Sequence, residues 1–485
     1  MTDRMEKIAI CWFRRDLRLA DNPALCAALD HGVPIVPLFI DDQGKGDQPK
    51  QGGASNVWLH HSLAALDKDL GGKLTLFQGP AQDVFEHLKA TYEIVAVHWN
   101  RMYEPAAITR DKALKQWLAD QNIEVHSHNG TLLFEPWTIE KKDGGPYKVF
   151  TPFYKKGCLN AAPPRAPLPA PDELNLYADK VADATSLSDL DLLPTRDWGD
   201  MIVDGWDISE KGARERWDRF VEEGLYNYKE GRDRPSKPFV SRLSPYLHFG
   251  QISPHQLWAA LDHYDQDRNV GHFRSELGWR EFSAYLLYHF PSLPESNFQP
   301  QFEGFTWAKD ARRVQRWQQG KTGIPIVDAG MRELWTTGYM HNRVRMIVAS
   351  YLTKNLRQDW RDGLAWFEDC LFDADLASNS ASWQWVAGTG ADAAPYFRVF
   401  NPVLQGEKFD PEGDYIRAHV PELQDVPTRY LFAPWEAPKD MREKYGLDGS
   451  KYPEPMVDLK QSRQEALAAY EAHKNARAGA KESEI

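Results

Sequence analysis

Residues 8–40, IAICWFRRDLRLADNPALCAALDHGVPIVPLFI, hold the pattern that decides the fold of the first part of the chain. Two short apolar runs, Ile8–Phe13 and Val33–Ile40, are rich in β-branched and aromatic side chains and have the length of buried strands. Between them, Asp21-Asn22-Pro23 is a helix start, a capping side chain followed by proline at the first helical position, and the segment Pro23–His31 is read as that helix. A strand, a helix and a second strand in so short a span form a βαβ unit, which makes the two strands parallel. The alternation continues, with strands expected at Lys73–Gln78, Glu93–Trp99 and Ile123–His128 and helices at Asn56–Leu70, Ala81–Tyr92 and Pro105–Gln121. Residues 1–135 are therefore expected to form a doubly wound parallel sheet, Rossmann-like in architecture. Neither GxGxxG after the first strand nor GxxxxGK[ST] occurs, so the common dinucleotide and P-loop signatures are absent.

From Asn160 the composition turns to AAPPRAPLPAPDELNL, a proline density that excludes helix and central strand. Residues 136–205 are read as a long connection that wraps one of its neighbours. Beyond it the apolar period becomes helical, with helices expected near 209–225, 254–263, 271–290, 310–319, 325–337, 341–357 and 362–370. The fold class is thus α/β followed by all-α, the helical domain occupying 206–485, with a terminal helix from Gln461.

Among the 485 residues are 18 tryptophans, which suggest aromatic-lined sites as well as a Trp-rich helical core that holds most of them, since each indole N–H asks for a partner when buried. Four cysteines, Cys11, Cys26, Cys158 and Cys370, are far apart, and no histidine cluster shows metal spacing, so no metal site is expected. The apolar run at the start is too short for a membrane span and lacks a cleavage pattern, which points to a soluble, cytoplasmic protein with no membrane partner. A net charge of −12 excludes a protein that coats nucleic acid with its whole surface. Between Arg312 and Arg361, however, ten basic residues stand against three acidic ones, a local surplus suited to phosphates.

Four stretches carry candidate chemistry. Asp369–Pro402, DCLFDADLASNSASWQWVAGTGADAAPYFRVFNP, reads either as a core loop with its polar groups satisfied or as a polar-aromatic loop whose Asp373, Asp375, Asn379, Trp383 and Trp385 would suit a flat, polar-edged guest. Glu276, Trp279, Arg280 and Ser283 recur at helical spacing and so share a face, as do Asn342, Arg345, Met346 and Ala349. An ion pair of Glu276 with Arg280 is the plain structural alternative for the first set. Ser241, Leu243 and Ser244 precede a helix start, where hydroxyls and free backbone N–H groups can cradle phosphate.

These stretches, with FRRDLRLADN, SRLSPYLHFGQISP, ELGWREF, GKTGIPIVDAGMREL, GYMHNRVRM, DADLASNSASWQW and DAAPYFRVFNP in this order, resemble the photolyase/cryptochrome family over some 400 residues. Within it the chain is most similar to the photolyases that repair cyclobutane pyrimidine dimers in DNA. The resemblance implies FAD in the helical domain, active as reduced FADH⁻, and UV-damaged DNA as the partner of a monomeric protein. It implies flavin contacts at Tyr228, Ser241, Leu243, Ser244, Arg345, Asp373, Asp375 and Asn379. It implies a lesion pocket from Glu276, Trp279, Asn342, Met346 and Trp385, with Arg232, Arg280 and Arg398 on the DNA, and an electron relay of Trp383, Trp360 and Trp307.

The family pattern is departed from in places. Val240 stands where threonine is frequent, and the stretch Trp99–Ala107 has only Glu104 as an acid, so that a folate or deazaflavin antenna would lack the acidic contacts expected of it. A (6-4) photolyase would carry a histidine pair where this chain has Asn342 and Met346. A cryptochrome photoreceptor is the rival of another class, and it tends to have Asp or Cys in place of Asn379.

Overall fold

The computed structural model describes residues 5–482. Five strands, β1 (Lys7–Phe13), β2 (Ile35–Asp41), β3 (Thr75–Gln78), β4 (Glu93–Asn100) and β5 (Glu124–His128), pair in parallel in the order β3-β2-β1-β4-β5. Helices α1 (Pro23–Leu29), α2 (Gly53–Asp69), α3 (Ala81–Thr91) and α4 (Pro105–Asp120) alternate with them. This is the expected doubly wound sheet, with β1 at its centre. Ile8–Phe13 is buried throughout, as a central strand covered on both faces must be. Trp12 fills that core edge-on to Phe85 and Trp99, each at 5.7 Å.

The motif FRRDLRLADN serves this framework. Arg18, 1% exposed, donates to the carbonyls of Asp21, Gly130 and Gly250, and Asp16 accepts from Asn100 Nδ2. Arg14 is paired with Asp111 at 2.7 Å, and Asn22 caps α1 by accepting from the Leu25 N–H. Charges this deeply buried are tolerable only when they are paired and hydrogen-bonded, so the motif reports fold rather than chemistry.

The proline-rich connection runs along the same sheet. Tyr177 N donates to Ile35 O and Thr185 N to Leu76 O, which adds two short contacts at strand edges. The described residues up to Lys229 together with Ser241–Pro291 form one compact unit, and Glu230–Val240 with the residues from Ser292 onward form a second.

In the second unit the principal helices are Ala311–Gln318, Pro325–Thr337, Asn342–Ser350, Trp360–Cys370, Leu376–Ala387, Pro402–Phe409 and Leu459–Glu482. Their core includes Trp317, Ile347, Val348, Trp360, Phe367 and Trp383. Two expectations are corrected here. The segment 341–357 does not stay α-helical: after Ser350 it widens into a turn closed by Leu356 N donating to Tyr351 O. The stretch 369–402 is not a loop throughout, because Leu376–Ala387 is a helix. Asp375 caps it by accepting from Ser378 N at 2.7 Å, and Gly388, at φ 86°, ends it in the left-handed conformation. The Asp, Ser and Asn residues that suggested turns instead supply the cap and the polar atoms of a buried helix.

Candidate active site

The second unit gathers most of the singled-out residues around the helix Leu376–Ala387. Just before it, Asp373 accepts from Arg345 Nη2 through both carboxylate oxygens, at 3.0 and 2.9 Å, while Arg345 Nε donates to Met340 O at 2.7 Å. Burial works against the Arg345 charge, but the Asp373 carboxylate outweighs it and holds the guanidinium above its ordinary pKa. Asn379 is 8% exposed and donates from Nδ2 to Leu364 O at 3.3 Å. On the same helix Ser380 Oγ and Trp383 Nε1 are buried and have no hydrogen-bond partner among the described residues. Buried polar atoms are nearly always paired with protein or water, so these two are open to a bound group.

Trp383 and Trp385 are two residues apart, about 200° around a helix, and so face opposite ways. Trp383 is 2% exposed, whereas Trp385 is half-buried. The Trp383 ring lies directly on the helix Trp360–Cys370: a Cβ on Gly363 would come within 2.1 Å of it. Gly363 is one turn from Trp360, a fully buried indole whose Nε1 donates to Asn297 Oδ1 at 3.0 Å. The residue after Trp307 is tied to the same place, Ala308 N donating to Arg357 O at 2.7 Å. Trp307 is half-buried and edge-on to Phe305 at 4.7 Å. The three tryptophans therefore hang on one helix and the segment leading into it, graded from buried to partly exposed.

His341 caps the helix Asn342–Ser350 through Nδ1, which accepts from Arg343 N. Burial lowers its pKa to about 3, so it is a neutral cap. On that helix Asn342 is exposed and Met346 half-buried, one turn apart.

In the first unit, Glu276, Trp279 and Arg280 lie on the helix Arg268–His289. Phe150 stacks on Trp279, with centroids 3.7 Å apart and planes 10° off parallel, which fixes the indole in position. The pairing suggested by spacing is corrected: Arg280 bonds Glu281, at 3.1 Å. Glu281 is buried, accepts from Phe134 N, and is pushed up to about 7 by loss of solvent, with Arg280 opposing. Tyr228 is packed edge-on against Phe273 at 5.2 Å. Ser241 Oγ accepts from Leu243 N, Leu243 is buried, and Ser244 is exposed at the start of the helix Ser244–Phe249.

The basic stretch 312–361 is not one face. Lys354 is fully buried, donating to Ala387 O at 2.6 Å with its ammonium 3.5 Å above the Tyr396 ring, and burial holds its pKa well below the lysine range. Arg332 pairs with Glu422, Arg343 with Asp233, Arg345 with Asp373 and Arg361 with Asp359. Arg312, Arg316, Lys321 and, further on, Arg398 are the exposed cations, and Arg232 is half-buried. Glu104, the single acid of Trp99–Ala107, is engaged by Arg15.

Sequence reading also missed a histidine cluster. His31, His98 and His126 present ring nitrogens that lie within 4.8 Å of one another, a grouping that spacing along the chain did not show. They come from three separate elements, so no local spacing could reveal them.

Comparison with known sequences agrees with this geometry. The profile described as the FAD binding domain of DNA photolyase matches residues 273–472, and that described as DNA photolyase matches residues 9–172. The deoxyribodipyrimidine photo-lyase of Agrobacterium fabrum is 49% identical over 474 residues, which is 96% of this chain and 98% of that one. The chain belongs to the DNA photolyase family. A crystal structure of a bacterial class III photolyase from Agrobacterium tumefaciens superposes with a TM-score of 0.92 at 47% identity, covering 98% of this photolyase-family chain and 99% of its own. Cryptochrome-2 of Arabidopsis thaliana is 37% identical over 95% of this chain and 78% of its own length, so membership of the family leaves the choice between repair and reception to particular residues. The helical half of this photolyase relative carries the family's FAD-binding domain, and among its described residues no helix is long and apolar enough to cross a membrane.

Proposed function

We propose that this protein is a deoxyribodipyrimidine photo-lyase that repairs cyclobutane pyrimidine dimers in UV-damaged DNA under blue light. Reduced FADH⁻, once bound and excited, would supply the electron that opens the dimer and would take it back when the ring has split. The chain's own part is to bind, orient and shield. The orphaned Ser380 Oγ next to the buried amide of Asn379, together with the partly exposed cation of Arg345, forms a donor set that fits the polar edge of a flavin. Arg345, Asp373, Asp375 and Asn379 are the residues we assign there, with Tyr228, Ser241, Leu243 and Ser244 toward the phosphates. Arg345 stabilises negative charge on the bound group, and Asp373 keeps Arg345 aimed.

The observation that carries repair over reception is Asn379. An amide offers hydrogen bonds but neither releases nor takes a proton at neutral pH, so this position cannot alter the protonation of its guest as an aspartate could. On the substrate side we assign Glu276, Trp279, Asn342, Met346 and Trp385 to the flipped lesion and Arg232, Arg280 and Arg398 to the backbone. Arg280 is already held by Glu281, so it adds charge without searching for a pose. Asn342 and Met346 in place of a histidine pair disfavour a (6-4) photolyase. The functional segments follow the composition, 1–135, 136–205 and 206–485, and the protein acts as a monomer in the cytoplasm, on the nucleoid when bound to DNA.

Binding in the dark tests the substrate assignment. The protein should prefer a duplex with one thymine dimer over the undamaged duplex, because unstacking a lesion costs less than unstacking an intact step. Trp385→Ala should weaken dimer binding roughly 5- to 150-fold, the worth of one aromatic–base stack of about 1–3 kcal/mol. Affinity for undamaged DNA should stay unchanged. Equal affinity of the unsubstituted protein for both duplexes would overturn the reading of Trp385 as a lesion contact.

A further inference from the structure

The histidine cluster of the first unit plays no part in the proposed repair chemistry. Strand pairing sets His98 of β4 directly opposite His126 of β5, and Asn100 opposite His128, so the alternation of side chains brings the three imidazoles to one face of the sheet. α1 packs against β1, β4 and β5, and His31 follows two residues after its last turn. His31 Nε2 lies 2.9 Å from His98 Nε2, and His98 Nδ1 lies 3.2 Å from His128 Nε2. The His98 ring stacks on those of His126 and His128, with centroids 4.9 and 5.4 Å away. His98 is 2% exposed, His31 half-buried and His126 exposed, which makes a pocket closed on its inner side and open to solvent on the other.

We propose that His31, His98 and His126 bind a divalent transition-metal ion of the zinc class. Three imidazoles without thiolate suit Zn²⁺, Co²⁺, Ni²⁺ or Cu²⁺ and do not suit Mg²⁺ or Ca²⁺, which need oxygen. Metal–nitrogen bonds of about 2.1 Å arranged tetrahedrally place ligand nitrogens roughly 3.4 Å apart. The three ligand atoms, all within 4.8 Å of one another, reach that geometry by small rotations of the exposed His126 ring and of the half-buried His31 ring, whose Nε2 starts 2.9 Å from that of His98. The outer contact is already in place: with Nε2 of His98 on the metal, its Nδ1–H donates to His128 Nε2, the kind of bond that fixes a ligating ring and its tautomer. Glu124, with Oε2 3.5 Å from His126 Nε2, adds compensating negative charge, whereas Arg101 and Lys115 act on His128 in the opposite sense. A bound ion would pin the turn after α1 to β4 and β5 and leave an open coordination position for water.

The test uses tag-free, full-length protein stripped with a chelator and dialysed against zinc chloride, then cobalt chloride, at micromolar concentration. We expect one equivalent of zinc per chain, a visible cobalt d–d band of tetrahedral intensity, and a higher thermal unfolding midpoint with zinc. His126→Ala and His31→Ala, both at accessible positions, should each bind less than a tenth of an equivalent. Their flavin spectrum and their midpoint in chelator should match those of the unsubstituted protein. Absence of stoichiometric zinc in the unsubstituted protein would overturn the proposal, as would zinc binding that neither substitution reduces, which would mean an adventitious ion only.

Discussion

Replacing Trp383 by phenylalanine is expected to slow the light-driven reduction of oxidised, protein-bound flavin by roughly tenfold or more while leaving repair by chemically pre-reduced protein nearly unchanged. The separation follows from where the ring lies. Trp383 is 2% exposed, pressed on Gly363 and edge-on to Phe367 at 4.9 Å, so a phenyl ring occupies most of the same space. Its Nε1 has no partner among the described residues, so no protein hydrogen bond is lost with the indole. What is lost is an easily oxidised ring between the assigned flavin site and Trp360, which is buried and cannot itself draw electrons from solution. The measurement is the bleaching of flavin absorbance under blue light with an external thiol, set beside dimer repair after dithionite reduction. Loss of both activities together would make Trp383 part of the flavin's binding surface rather than a relay. Loss of neither would send the electron along another route, such as the neighbouring Trp317 indole, 6.1 Å from the Trp383 ring.

The second large effect belongs to Arg345. Removing the guanidinium with Arg345→Ala leaves the Asp373 carboxylate, 9% exposed, without its cation, and leaving a buried polar group of this kind unpaired costs about 1–3 kcal/mol. Chemical denaturation should show that loss, and the purified protein should retain little flavin. Stability and cofactor binding then have to be separated. Arg345→Met combined with Asp373→Asn removes both charges, so most of the stability should return, as expected when two partners of one interaction are changed together. Flavin content should stay low, because the cation that would face the cofactor is still missing. If flavin returns with stability, Arg345 acts only on the fold.

Much of the architecture was legible because it rests on local patterns. The five strands and four helices of the sheet domain begin and end within three residues of where apolar runs, the Asn22 cap and Pro23 place them. The helix Pro325–Thr337 was legible to the residue, since Pro325 starts it and Gly338, at φ 62°, stops it. The helix Leu376–Ala387 was hidden by its function: a helix that presents Ser380, Asn379 and Trp383 to a guest has too many turn-forming residues and no apolar stripe. Charge counting failed for a related reason. Lys354 and Arg332 sit in a basic run along the chain, but a one-dimensional count cannot know that Lys354 points at a helix end and Arg332 at Glu422. The residues assigned to the candidate site come from long ordered motifs rather than from spacing, which by itself favoured a Glu276–Arg280 pair, whereas Arg280 bonds Glu281. The His31, His98 and His126 group was beyond reach, since only the register of β4 on β5 and the packing of α1 assemble it.

The most direct test of light-driven dimer repair is to mix reduced protein with an oligonucleotide holding one thymine dimer and to count restored thymines after blue light. Parallel samples are kept dark or carry a (6-4) lesion. The account predicts many dimers opened per protein molecule in the light, none in the dark, and no repair of the (6-4) lesion. A protein that holds its reduced flavin, takes up the light and restores no thymines would contradict it and identify a photoreceptor instead.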